Sequence, residues 1–135
     1  MIKILVPPEG PLSAKIAFIG EAPGEVEERY GRPFMPNAPA GGLFDELLRT
    51  AGINRIDCYI TNVIKERPPN NDIKKFIDTT RATPIISPIG QEYIEKLYKE
   101  LDKVNANVFV PLGNVAMFVL TGNKDILKRR GSVLY

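Results

Sequence analysis

A chain of 135 residues, 44% hydrophobic and 25% charged, fits one globular domain able to bury a core. Its 18 basic and 16 acidic side chains leave a net charge of +2, too small to announce a nucleic-acid partner or to exclude one. It holds no histidine and one cysteine, Cys58. That composition removes histidine acid–base chemistry and the usual Ser/His and Cys/His nucleophiles, excludes an internal disulfide, and leaves few ligands for zinc or an iron–sulfur cluster.

In chain order, Met1 to Val6 reads as an edge strand, and Pro7, Pro8, Gly10 and Pro11 as a connector that cannot be helical. The apolar run Ile16 to Ile19 reads as a buried strand that stops at Gly20 and opens into Glu21-Ala22-Pro23-Gly24. An acidic patch (Glu25, Glu27, Glu28) and Arg32-Pro33-Phe34 come next. Pro33, Pro36, Pro39, Gly41 and Gly42 bracket a segment expected to be irregular; from Leu43 the spacing of Leu43, Phe44, Leu47 and Leu48 predicts a helix ended by Gly52. Cys58 to Ile64 reads as a second strand, unusual in carrying Thr61 and Asn62, since asparagine is depleted in strands and a buried amide needs partners. It runs into Lys65-Glu66-Arg67-Pro68-Pro69-Asn70-Asn71. Asp72 is expected to cap a short helix through Phe76 and Ile77, and Pro84 and Pro88 to break the chain. Gln91 to Val104 predicts an amphipathic helix with Ile94, Leu97, Tyr98 and Leu101 on one side. Asn107 to Leu112 reads as a third strand, Asn114 as an N-cap, and Val115 to Leu120 as a buried helix stopped by Gly122. A basic stretch, Lys124 to Arg130, precedes Gly131 to Tyr135, which looks like a strand just begun.

Strands alternating with helices predict an α/β fold, a three-layer sandwich with a short central parallel sheet flanked by helices. No repeat or linker divides residues 1–135, so a single domain is expected, with residues 1–14 as connector and edge strand. Parallel order puts the three turns GEAPG, TNVIKERPPNN and PLGN along one sheet edge, where open α/β sheets keep their ligands. On local pattern alone, GEAPG also reads as an ordinary strand-to-helix turn with a solvated glutamate. No apolar run approaches the ~20 residues needed to cross a membrane, the N-terminus lacks a signal-peptide pattern, and the lone cysteine favours a cytoplasmic home, which for a phage protein means the host cytoplasm or nucleoid.

The segments GEAPGEVEERYGRPF, GGLFDELLRTAGI, CYITNVIKERPPNN, VFVPLGNVAMFVLTG and Arg129-Arg130-Gly131 resemble, in order, the uracil-DNA glycosylase superfamily, nearest to its iron–sulfur branch, family 4. The resemblance implies excision of a flipped-out uracil from DNA by hydrolysis of its N-glycosidic bond. It puts Phe34 where an aromatic ring stacks on uracil, Asn62 where an amide reads the uracil edge, and Glu21 in the motif that positions water. Main-chain groups of Gly20, Ala22, Pro23 and Gly24 line the base site. Lys65, Arg67, Lys128, Arg129 and Arg130 are candidates for phosphate contacts. Each has a plainer alternative: a core phenylalanine, an amide tying two loops, a carboxylate paired with Arg32 or Lys65, a solvated basic face.

Three departures accompany the resemblance. The family-4 branch places two cysteines before the first strand, one beside the RPP turn and one further on. Here the chain opens after the first pair, the RPP turn is preceded by Glu66, and Ser87 to Gln91 has no cysteine; no iron–sulfur cluster and no metal is expected. The family's closing His-Pro-Ser motif is absent, so the chain is expected to be either C-terminally incomplete or a short relative that has lost its catalytic end. The segment MPNAPAGGLF after Phe34 is longer than the family's usual spacing. The alternative function is therefore a catalytically impaired glycosylase-like module that binds DNA or a replication protein, such as the N-terminal part of a phage or viral DNA polymerase. A small-molecule hydrolase or nucleotide-binding protein lacks its motif, since neither GxSxG nor GxxxxGK[ST] occurs.

Overall fold

The computed structural model describes residues 3–123 and Val133. Its elements in chain order are β1 (Ile16–Gly20), α1 (Glu25–Tyr30), α2 (Pro39–Thr50), β2 (Tyr59–Asn62), β3 (Ile77–Asp78), β4 (Ile85–Ile86), α3 (Pro88–Leu101), β5 (Val108–Pro111) and α4 (Asn114–Thr121). The sheet is parallel with order β2-β1-β5, and Gly20 pairs with Asn62 at the end of the β1–β2 register. Alternation along the strands separates two cores. Ala17, Ile19 and Tyr59 pack with Ile94 and Leu97 of α3 and Val115 and Val119 of α4. Phe18 and Ile60 pack with Phe44 and Leu48 of α2 on the opposite face. This is the expected sandwich, helices on both faces of a short parallel sheet. Gly20 and Asn62, two residues beyond Phe18 and Ile60, share the α2 face. No helix among the described residues is long and apolar enough to cross a membrane.

Several boundaries differ from expectation for local reasons. The glutamate-rich stretch after Gly24 is helical, α1, and ends at Gly31 in left-handed backbone (φ 71°). Helix α2 begins at Pro39, four residues before Leu43, and α3 at Pro88, three before Gln91. Proline at the first helical position starts a helix rather than breaking it, because its missing N–H has no intrahelical partner there. Ser87 caps α3, its Oγ accepting from the Gly90 N–H at 3.1 Å. Asn114 is not the cap of α4: Gly113 is, at φ 96°, and Asn114 is the first helical residue. Asp72 does accept from the Lys74 N–H (3.1 Å), but it caps a single 3-10 turn, and Ile77 passes into the antiparallel β3–β4 pair. The edge strand expected before Pro7 is reduced, among described residues, to one isolated antiparallel bridge of Leu5 with Glu66, and the connector after it adds another, Glu9 with Ile60.

Helix α2 approaches the chain before it closely. A Cβ on Gly41 would lie 1.9 Å from the Met35 carbonyl oxygen, a main-chain atom that cannot swing aside. Gly41→Ala is expected to destabilise the protein by about 1–3 kcal/mol or more, read by denaturant unfolding.

Candidate functional site

The end of β1, the end of β2 and the turn before α2 meet at Gly20. Asn62 Oδ1 and Phe34 Cζ each lie 2.5 Å from the point where a Gly20 Cβ would stand. The glycine is what lets an amide and an aromatic ring converge over one main-chain atom. Phe34 is half-buried, with its ring centroid 4.9 Å from that of Phe44 at an interplanar angle of 40°. Its backbone is left-handed (φ 50°), a conformation that costs an aromatic residue roughly 1–3 kcal/mol and persists only where the surroundings impose it.

Asn62 is 5% exposed. Its main-chain carbonyl accepts from the Lys65 ammonium, but its side-chain amide bonds to no described residue. A nearly buried amide without a partner among the described residues retains two donors and an acceptor for something else. Glu21, the residue after Gly20, is exposed and makes no ion pair among the described residues: Arg32 pairs with Glu9 (2.7 Å) and Lys65 with Glu100 (2.7 Å). Partial desolvation raises the Glu21 carboxyl above its ordinary value. Pro23 is buried and Ala22 packs against the α3–α4 core, which fixes the loop. The Gly24 N–H is engaged by Glu27 Oε1 (3.0 Å), Pro23 has none, and Gly20 belongs to the β1–β2 ladder, which leaves the Glu21 and Ala22 amides of GEAPG for a ligand.

The basic candidates divide. The Lys65 ammonium turns to the α3 face, bonding Thr61 Oγ1 at 2.9 Å and Glu100 at 2.7 Å. Burial pulls its pKa down, and Glu100 opposes that pull. It is a tie inside the protein rather than an offered charge, contrary to expectation. Arg67 is half-buried and donates to Asn71 Oδ1 (2.9 Å). Lys128, Arg129 and Arg130 lie outside the described residues.

Two residues that the sequence did not single out hold the site. Glu27, 9% exposed, accepts from the Gly24 N–H through one oxygen and from the Met35 N–H (3.0 Å) through the other. Its spacing of three after Gly24 is the capping-box spacing and was the available signal. Arg55 donates to the Pro33 and Phe34 carbonyls at 2.6 and 2.7 Å. Its partners lie 10 to 46 residues away along the chain, so no local pattern marks it.

The iron–sulfur cluster that the resemblance implies does not fit this chain's donors. Cys58 is buried in the core, where burial raises its thiol, and it donates to the Asn54 carbonyl (3.4 Å). Among the described residues no group of three or more potential ligands could hold a metal. Beside the RPP turn, Glu66 instead accepts from the Tyr93 hydroxyl of α3 (2.5 Å) and pairs with Lys3 (3.4 Å). Tyr93→Phe removes the donor from this charged acceptor and is expected to lower stability by about 1–3 kcal/mol, measured as a drop in Tm.

A family model described as the uracil DNA glycosylase superfamily matches residues 7–134. A type-4 uracil-DNA glycosylase of Thermotoga maritima is 41% identical over 126 residues, 92% of this chain and 59% of that protein. One of Archaeoglobus fulgidus is 41% identical over 115 residues, 82% of this chain and 49% of its own. One of Pyrobaculum aerophilum is 48% identical over 89 residues, 65% of this chain and 44% of its own. The chain spans about half the length of the curated relatives it matches.

Proposed function

We propose, from the premise that this chain belongs to the uracil-DNA glycosylase superfamily, that it excises uracil from DNA by hydrolysing the N-glycosidic bond of a flipped-out nucleotide. The observation that carries the reading is the Asn62 amide, almost buried and without a partner among the described residues, set against the Phe34 ring over Gly20. Uracil presents an N3–H donor and an O4 acceptor side by side, and a side-chain amide complements both. The Phe34 ring supplies the stacking face that an extruded base requires.

In the reaction the C1′–N1 bond breaks with its electron pair leaving on uracil, and the sugar becomes oxocarbenium-like. The Glu21 carboxylate stabilises the sugar's positive charge, orients the water that adds to C1′ and accepts the proton that water loses, while the uracil anion takes up a proton from solvent. The Glu21 and Ala22 amides donate to the departing base. Arg67 and the basic stretch 124–130 contact phosphates, whereas Lys65 serves from within by holding the Asn62 carbonyl. With one buried cysteine, the residues of this chain act without an iron–sulfur cluster. The partner is uracil-containing DNA.

The test is release of uracil from a single-stranded oligonucleotide with one deoxyuridine, read as an alkali-labile abasic site. Cleavage at uracil and not at a matched thymine is expected. No release together with salt-sensitive retention of the strand would instead support a glycosylase-like binding module. A pH series adds a second check. Because the Glu21 carboxyl is raised and its ionised form acts, the rate is expected to climb with pH through a value above the ordinary glutamate range. That limb should be lost in Glu21→Gln.

A further inference from the structure

We propose that Arg55 is the positioning residue that presents the Phe34 ring to the base, an inference that rests on the excision reading above. The Phe34 backbone lies in the left-handed region at φ 50°, with no glycine's freedom to relieve it. Something must impose that conformation, and three consecutive residues show what does. Arg55 Nη2 donates to the Pro33 carbonyl at 2.6 Å and Nη1 to the Phe34 carbonyl at 2.7 Å, while Glu27 accepts from the Met35 N–H at 3.0 Å. The main chain on both sides of the ring is therefore clamped.

The guanidinium is itself fixed. Its Nε donates to Glu9 (2.9 Å) and Nη1 also to Asp45 of α2 (2.7 Å), and its carbon lies 5.8 Å from the centroid of Phe44, the ring that backs Phe34. Glu9 is held a second time by Arg32, two residues before Phe34. Burial alone would raise the Glu9 carboxyl, but its bonds to the two arginines outweigh that and hold it below the ordinary range. The result is a charge-balanced set of two guanidinium and two carboxylate groups tying the N-terminal connector, α2 and the turn at Phe34 to one planar fork. Lysine keeps the charge but cannot reproduce the fork, having three donors on one atom.

A structural ion pair and a positioning residue predict different results in a double-mutant cycle on the full chain. In the wild-type background, Arg55→Lys is expected to lower kcat/KM for uracil release by about 10–100-fold, the scale of a misplaced contact near the reacting group. In a Phe34→Leu background, where there is no ring to present, the same change should cost less than about threefold, because the two substitutions remove one interaction. Glu9→Gln leaves the bonds to the Pro33 and Phe34 carbonyls and Asp45 in place, and should alter Tm with less than about a threefold effect on kcat/KM. Equal losses from Arg55→Lys in both backgrounds would overturn the proposal, as would an Arg55→Lys enzyme of unchanged kcat/KM. A wild-type chain that releases no uracil would instead overturn the excision reading and this role with it, so the two failures are told apart by the wild-type measurement.

Discussion

Asn62→Ala is expected to lower kcat/KM for uracil release at least about 100-fold while the protein stays folded. In most proteins, truncating a 5% exposed side chain at the end of a core strand would be a stability experiment. Here the amide forms no hydrogen bond with any described residue, so its removal strands no partner. What the fold loses is the packing of a few atoms; no fully buried polar atom among the described residues lacks a partner, so the amide keeps access to water and its removal relieves no trapped group. Unfolding free energy should therefore change by less than about 1 kcal/mol. An Asn62→Ala protein that loses stability and activity together would show that the amide was bonded inside the protein and that its reading role is mistaken. Full activity would remove Asn62 from the site altogether.

Gly20→Ala should produce the second large loss. The new methyl would stand 2.5 Å from Asn62 Oδ1 and 2.5–2.6 Å from two atoms of the Phe34 ring. These are side-chain atoms, so the protein can accommodate the methyl by displacing them, at an expected cost of about 1–3 kcal/mol. The displaced groups are the two assigned to base recognition, and a loss of about 100-fold in activity is expected from a shift of about 1 Å. Gly41→Ala differs in kind: its methyl would meet the main-chain carbonyl groups of Phe34 and Met35, so it should damage stability and ring placement together. If Gly20→Ala left uracil release intact, the convergence of ring and amide over this glycine would have no bearing on function.

The features legible in the sequence are local ones. Three apolar runs mark the parallel strands, because a buried strand announces itself by composition over a few residues, although the second, read as Cys58 to Ile64, pairs only over Tyr59–Asn62. Asn62 is legible for a related reason: a single amide in CYITNVI breaks the pattern that packing would impose. Taking proline as a breaker misplaces the helix starts at Pro39 and Pro88, because a proline in a first turn opens a helix when a helical pattern lies downstream of it. Lys65 looks like a surface cation in a polar turn, and only the arrival of Glu100 from α3 turns it inward. Arg55 could not be found at all, since its meaning lies in Glu9, Pro33, Phe34 and Asp45, which the chain brings together only after the sheet and α2 have formed. Glu27 stands between these cases, with a legible helix-capping spacing and an illegible second bond to Met35.

The most direct test watches the Asn62 side chain itself. Its NH₂ resonances can be followed by NMR while a short single strand is added that carries one 2′-fluoro-deoxyuridine, whose electron-poor sugar resists the oxocarbenium-like transition state and so stays uncleaved. Recognition of uracil by this amide predicts that the resonances shift on addition of the uracil strand and stay in place with a matched thymidine strand. Binding of the uracil strand with the Asn62 amide signals unmoved would contradict it.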